Sequence, residues 1–463
     1  MALVAITAFA PGAIRAQDAT WRLNPPILGN FNSAANWDPT TVPTGTAFFG
    51  MSNRTELTFS APTTVGGWTF NAGASAYTFA NTQPLSFNGA GIVISGGSAT
   101  INNNAGGDLD FTNNSTAGNA TIHNTRIIDF FDSSTGGSAA INNDGGSLTF
   151  RDTSSAGTAI IINNVGSLNF RNASTAGNAT ITNNAVGNEV IFFDNSTGGK
   201  AAITNASGAV VDFSFSTGPA GDHKLTAGSI AGAGLFQLGA NELTVGGNNL
   251  STDVSGIILG TGSLVKVGAG TLTLSGSANL GGTTIDGGTL AVRGGTLNID
   301  AGGGATTQNL IVGLGGVGTL AVQNGGTLTD FGGFIGNLPG SQGTATVSGA
   351  NSTWTNTDTI VVGGLGAGTL SIQDGGTVNG GGGGSIGLAA GSTGTVTVTG
   401  PGSIWNNSPG LNVGAFGAGA LTIANGGAVI NNSAFPTNIG EGAGSLGTVT
   451  VTARAPPGAT VRG

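Results

Sequence analysis

Between residues 99 and 205 the chain alternates apolar and polar positions in short bursts, each opened by a glycine. The pattern Gly-x-Ala-x-Ile-x-Asn occurs as Gly97/Ala99/Ile101/Asn103, Gly118/Ala120/Ile122/Asn124 and Gly137/Ala139/Ile141/Asn143. It continues as Gly157/Ala159/Ile161/Asn163, Gly177/Ala179/Ile181/Asn183 and Gly199/Ala201/Ile203/Asn205. Successive glycines are 21, 19, 20, 20 and 22 residues apart. A phenylalanine precedes each of the last five (Phe111, Phe130, Phe150, Phe170, Phe192), followed two residues later by Asn113, Asp132, Asp152, Asn172 or Asp194.

Residues spaced by two share one face of a strand, so Ala, Ile and Asn are predicted to point the same way, with polar neighbours on the other face. The glycine supplies a turn conformation that a Cβ opposes, and the Asn/Asp column bonds its own backbone to mark a second turn. A period near 20 residues with no helical component predicts one coil of a parallel β-helix, in which each coil stacks on the last at about 4.8 Å and like side chains form ladders. Phe and Ile then form interior stacks, and Asn103 to Asn205 an amide ladder.

A second system fills the C-terminal third. GTLAVQNGGTL at Gly318 returns as GTLSIQDGGTV at Gly368 and GALTIANGGAV at Gly419. Interleaved with it, GTATVSGANSTW at Gly343 returns as GTVTVTGPGSIW at Gly394, and GTVTVT begins again at Gly447. The unit is about 50 residues, read as two coils of about 25. Between the two systems lies VGAGTLTLSGSANLGGTTIDGGTLAV, residues 267–292.

Residues 267–292 resemble the autotransporter-associated β-strand repeat, departing at Leu280, where that family has an aromatic residue. The 50-residue units resemble repeats of type V autotransporter passengers. The first segment, with FNSAANWDPTTVP and TFNAGASAYTF, resembles the module that often precedes them. The resemblance implies an all-β, right-handed parallel β-helix (β-solenoid) with an N-terminal β cap. It also implies export through an outer-membrane barrel, and adhesion or biofilm roles.

Composition adds limits. Only 7% of residues are charged, against about 25% in an average soluble domain, so Ser, Thr, Asn and Gly must cover the surface. The 22 Phe, with Ile, Val and Thr at regular positions, argue for a folded chain rather than a disordered one. The net charge of −9 is scattered and no basic cluster exists, which argues against nucleic acid as a partner. Cysteine is absent, so disulfides and thiolate metal sites are excluded. No stretch reaches the roughly 20 apolar residues of a membrane-spanning helix.

Chemistry is thinly represented. His123 and His223 stand 100 residues apart, too separate in pattern for a two-histidine metal site, and His123 falls at an outward strand position. Asp132, Asp152 and Asp194 read as turn formers rather than calcium ligands. Thr395, Thr397 and Thr399 resemble the threonine rows of ice-binding faces, but one such row per 50 residues favours plain β-propensity. Lys200, Lys224 and Lys266 are isolated, whereas glycoside hydrolysis needs paired carboxylates at a set separation. The strongest break in the repeats, GPAGDHK at residues 218–224, gathers Asp222, His223 and Lys224. No catalytic, cofactor-binding or metal residue is assigned.

The predicted organisation is a leader over 1–16, an N-terminal β module or cap over 17–86, and 20-residue coils over 87–225. Then come a β-helix with the autotransporter-associated repeat over 226–305, double coils over 306–452, and a tail at 453–463. The leader is an apolar run before Ala16-Gln17 and lacks a basic start. Residues 21–82 carry five prolines and do not obey the 20-residue period, which marks them as the cap on an open strand edge. The tail, ARAPPGATVRG, replaces an expected partner of GPGSIWNNSPG. A synonymous coding of it, read one nucleotide out of frame, gives Gly-Pro-Gly-Ser-Thr-Trp, so a frameshift is expected, with the translocator barrel lost downstream.

The function these features imply is an exported, non-enzymatic scaffold or adhesin without cofactor, at the cell surface or secreted, meeting host or matrix glycans or proteins. The alternatives are a polysaccharide-active parallel β-helix enzyme, or a matrix protein exported by another route.

The inward assignment is testable. Ile161→Asp buries an unpaired charge and is expected to cost about 3 kcal/mol or more. Hydrogen exchange should rise in the coils beside Ile161 and stay unchanged in remote ones, because solenoid repeats couple to their neighbours. A variant exchanging and melting like the parent places Ile161 outside.

Overall fold

A computed structural model describes residues 16–104, 106–299, 309–431 and 437–452. The expected tail and all but the last residue of the expected leader lie outside them. The chain divides into two compact units, Met1–Ile141 and Asn142–Gly463. Each is a parallel β-solenoid, and no α-helix occurs among the described residues.

In the first unit, parallel pairing starts well before the visible repeat. Strand Ala19–Trp21 pairs with Thr46–Phe49, which pairs with Thr63–Phe70, which pairs with Leu85–Ile94. Residues 17–86 therefore coil like the rest although their sequence shows no period. The reason is their filling: Trp21, Phe31, Trp37, Phe49, Trp68, Phe70, Tyr77 and Phe79 are all buried, in place of Ala and Ile. Trp68 stacks on Phe79 at 4.0 Å, and Trp21 meets Trp37 edge-on at 5.0 Å. The outer edge of Ala19–Trp21 is taken by Trp37–Asp38, running antiparallel with Trp21 opposite Trp37. A strand of opposite direction thus occupies the second hydrogen-bonding edge of Ala19–Trp21.

From Ser98 onward the unit follows its columns. Phe79, Ile101 and Ile122 are aligned in successive coils. Phe87, Phe111 and Phe130 stack at 5.1 and 4.6 Å with planes within 12°. The Nδ2 of Asn81 donates to Asn103 Oδ1, and that of Asn103 to Asn124 Oδ1, both at 2.8 Å and fully buried.

The second unit repeats the scheme. Ile161, Ile181, Ile203 and Ile230 align. Phe150, Phe170, Phe192 and Phe213 stack at 5.1, 4.9 and 4.8 Å. Asn143, Asn163, Asn183 and Asn205 form an amide ladder at 2.8, 2.9 and 3.0 Å. A buried amide without partners costs a few kcal/mol, so each rung must be satisfied on both sides. Asn163 meets this by also donating to the carbonyls of Gly166 and Glu189.

The turn columns also appear as predicted, with one correction. Gly157, Gly177 and Gly199 have φ of 66°, 60° and 59°, and Asp152, Asn172 and Asp194 have φ of 54°, 56° and 55°. The Asn/Asp side chains, however, bond the preceding coil. Asn172 Oδ1 accepts from the N–H of Asp152 at 3.1 Å, and Asp194 Oδ2 from that of Asn172 at 2.9 Å. Either residue type satisfies both demands, tolerance of the left-handed region and an acceptor, which is why Asn and Asp interchange. A serine column in the same coils went unnoticed in the sequence: Ser154, Ser174, Ser196 and Ser216 are buried, and Ser196 Oγ donates to Phe170 O at 3.1 Å.

The double repeat has a packing cause. Its two sequence types alternate coil by coil, with Gly318, Gly343, Gly368, Gly394, Gly419 and Gly447 in one aligned column. On the next side, Leu328, Trp354, Val378, Trp405 and Val429 align, so tryptophan alternates with smaller residues. On the third, Gly333, Ile360, Gly384 and Leu411 align. Each indole lies over the glycine of the coil before it. A Cβ on Gly333 would stand 2.6 Å from Trp354 Cζ2, and one on Gly384 3.0 Å from Trp405 Cζ2. Interiors are close-packed, so a large ring in one coil requires a void in its neighbour, and the period doubles.

Gly333→Ala should therefore cost about 1–3 kcal/mol by overpacking. Combined with Trp354→Leu, it should cost clearly less than the sum of the single changes in a double-mutant cycle. Additive costs in thermal or denaturant melts would show that ring and glycine do not share the space.

Candidate functional site

The sharpest departure from the coil pattern follows strand Val210–Ser216, in the second unit. Gly218 turns with φ 76°, where an added Cβ would meet Lys224 O at 2.3 Å, and Gly221 follows with φ 69°. His223 is held at φ 62°, a conformation that costs a non-glycine residue free energy and concentrates at functional sites. Its N–H donates to Thr217 O at 2.8 Å, closing the loop. The chain then re-enters the coil at Lys224–Ala227, parallel to Glu242–Val245.

That re-entry places Lys224 Nζ 3.3 Å from Glu242 Oε1, an ion pair open to solvent and worth little to stability. Asp222 Oδ1 accepts from the Lys224 N–H at 3.2 Å. His223 Nδ1 is 2.8 Å from Asn241 Oδ1. The amide of Asn241 is buried and its Nδ2 donates to Phe213 O and Ser216 O at 2.8 and 2.9 Å, which fixes its oxygen toward the imidazole. Nδ1 of His223 therefore carries a hydrogen and donates it to Asn241 Oδ1. These residues form one end of a groove of about 280 Å³ whose floor runs over Thr261, Gly262 and Ser263 to Gly281 and Gly282. Side chains shrink from charged to none along it.

The other sequence candidates do not join this cluster. His123 is half-buried on the outward side of Thr121–Asn124, beside Asn102 of the preceding coil, in the first unit. The Asp194 carboxylate is engaged by a backbone N–H, as above, and so is that of Asp132, which accepts from the Asn113 N–H at 2.8 Å. Lys200 is exposed. Among the described residues no three His, Asp or Glu side chains converge as metal ligands. Only the first position of the threonine row extends along the coils; at the other two, Thr397 meets Ser371 and Thr399 meets Gln373. Thr271, Thr289, Thr319, Thr344, Thr369 and Thr395 align in successive coils, because both sequence types of the double repeat present a threonine there.

Sequence reasoning missed the burial of Lys266 and Asp330, each 1% exposed. Lys266 takes an interior position between Val245 and Ile285, and its Nζ donates to the carbonyls of Val267, Gly268 and Gly287 at 2.6, 3.2 and 3.1 Å. Burial pushes its amine down to about 8. Asp330 aligns with Asn356, Gly380 and Asn407 and is 1% exposed. Its Oδ1 accepts from Trp354 Nε1 at 2.8 Å and Asn356 Nδ2 at 3.1 Å, while Oδ2 has no partner. Burial, only partly offset by those hydrogen bonds, raises its carboxyl to about 7. One repeat later Gly380 stands in its place, and Trp405 Nε1 is left without an acceptor. Both were legible as parity errors: a lysine two residues after Leu264 and an aspartate two after Leu328 fall on the inward face.

Residues 264–292 match the family model of the passenger-associated-transport-repeat. The match covers strands Ser263–Lys266, Thr271–Leu274 and Ser277–Leu280 and most of Gly282–Arg293, and so includes Lys266 and the glycine end of the groove. Over 163 residues the chain is 34% identical to the adhesin BmaC autotransporter of Brucella suis biovar 1 (strain 1330). That stretch is 34% of this chain and 4% of the Brucella protein, so the chain spans a small part of the relative's length. No solved structure matches. The chain thus carries autotransporter passenger repeats, wound as a parallel β-solenoid.

Asp330 gives this part of the solenoid a pH dependence of defined sign. Its carboxyl titrates near 7 in the fold against 3.8 ordinarily, so the folded state holds a proton that the unfolded state has released. Stability is complete below about pH 4, falls as pH rises to about 7 and is flat above, a loss of about 4 kcal/mol at most. Asp330→Asn should remove that slope and raise the melting temperature at pH 8, with little change at pH 4. Equal slopes in parent and variant would show that Asp330 ionises freely.

Proposed function

We propose that this chain is an exported, non-enzymatic adhesive scaffold, the passenger of an autotransporter-like surface protein, at the bacterial surface or released from it. The observation that carries this reading is the passenger repeat at 264–292 seated in a parallel coil, with similarity to a protein named as an adhesin. The physical character of the chain supports it. With 0 cysteines no disulfide blocks export as an unfolded thread, and coils that contact only their neighbours form progressively as the chain emerges. Partners on this reading are glycans or proteins of a host or matrix surface. The polysaccharide-enzyme reading gains little support: at the groove Glu242 is tied to Lys224, which leaves Asp222 where glycoside hydrolysis uses two carboxyl groups, and interior carboxylate Asp330 is shielded from solvent.

Beads coated with the purified chain should adhere to cells or matrix above an albumin-coated control, and the chain should release no reducing ends from a polysaccharide panel. Bead adhesion at control level would remove the adhesive reading. Turnover of any polysaccharide that survives repurification would replace it with the enzymatic one.

A further inference from the structure

We propose that the groove between His223 and Gly282 is a binding site for an uncharged glycan chain, with exposed Phe215, on the strand that leads into the His223 loop, as a stacking ring. The inference deepens the adhesive reading and rests on it only in taking glycans as targets.

Four observations meet here. The groove lining is hydroxyl, carboxylate, amine and imidazole with three glycines, and Ala240 is its one apolar side chain, a surface that pairs with hydroxyl groups. The amide of Asn241 orients His223, so Nε2 is a polar atom held in a fixed place, while Asp222 and Glu242 add acceptors and Lys224 and Ser263 donors. The backbone at His223 is held in a left-handed conformation where the repeats break, which presets this geometry before a ligand arrives. Finally, Phe215 is 59% exposed, two residues before Thr217, whose carbonyl holds the His223 N–H. Phe193 stacks beneath Phe215 at 5.6 Å and is itself covered by the Arg171 guanidinium at 4.1 Å, which leaves Phe215 to offer a ring to the apolar face of a sugar.

Charge selects within the class. Lys224 and Glu242 neutralise each other, which leaves Asp222, and the chain as a whole carries −9. A polyuronate meets net repulsion, and a neutral or N-acetylated glycan does not.

The test is calorimetry on the full chain with oligosaccharides of β-glucan, mannan and chitin, and with polygalacturonate. At least one uncharged oligosaccharide should bind, and polygalacturonate more weakly. His223→Asn keeps a residue that tolerates the left-handed turn, and Phe215→Ser alters an exposed ring, so both should melt like the parent. Each should weaken binding about tenfold. No binding by any uncharged oligosaccharide, tighter binding of polygalacturonate, or parental affinity in both variants would overturn the proposal. Because soluble sugars are used, sugar binding without bead adhesion would refute the adhesive reading alone, and bead adhesion without sugar binding the groove alone.

Discussion

Everything in this molecule depends on the register between one coil and the next. Parallel strands about 4.8 Å apart force each interior side chain to sit directly on its counterpart. A column is stable only if every member accepts its neighbours above and below. Amides do so by donating to the next amide, phenylalanines by offset stacking with nearly parallel planes, and isoleucines by plain contact. Two strictly alternating sizes are the other solution, and Trp354 over Gly333 shows it. The same constraint therefore yields 20-residue periods where residues are alike and 50-residue periods where large and small alternate.

This is why so much of the fold was legible. Inward Ala, Ile and Asn, the stacked Phe and the two left-handed turn positions follow from spacing by two and from the chemistry of Gly, Asn and Asp. What stayed hidden has a physical reason too. Residues 17–86 coil in the same way, but Trp, Tyr and Phe reach across the interior and fill it from fewer positions, so aligned pairs such as Phe49 and Phe70 do not build a regular period. Ser174, Ser196 and Ser216 bond backbone carbonyls of another coil, a partner that local sequence does not name.

Chemistry is found where the columns are broken. Lys266 and Asp330 stand on inward positions that neighbouring coils fill with Val and Ile or with Asn and Gly, and both are shifted toward their uncharged forms by burial. The loop at residues 218–224 breaks register altogether and brings His223, Asp222 and the Lys224–Glu242 pair to one groove. Its candidates were visible as an irregularity. The amide that orients the imidazole, 18 residues further on at Asn241, was not, because only stacking brings it there. A scaffold that is uniform elsewhere makes such a break the natural place for recognition.

The measurement that bears most directly on coil register uses the absence of cysteine. Thr344 and Thr369 face each other in adjacent coils, whereas Thr344 and Ser371 are two residues out of step. Adjacent parallel strands bring aligned Cα atoms within disulfide range, and a two-residue offset adds enough to exceed the roughly 7 Å limit. Thr344→Cys with Thr369→Cys should oxidise to an intramolecular disulfide in the native chain, and Thr344→Cys with Ser371→Cys should not. Equal yields from both pairs, or a disulfide only in the offset pair, would contradict the stacking on which every column described here depends.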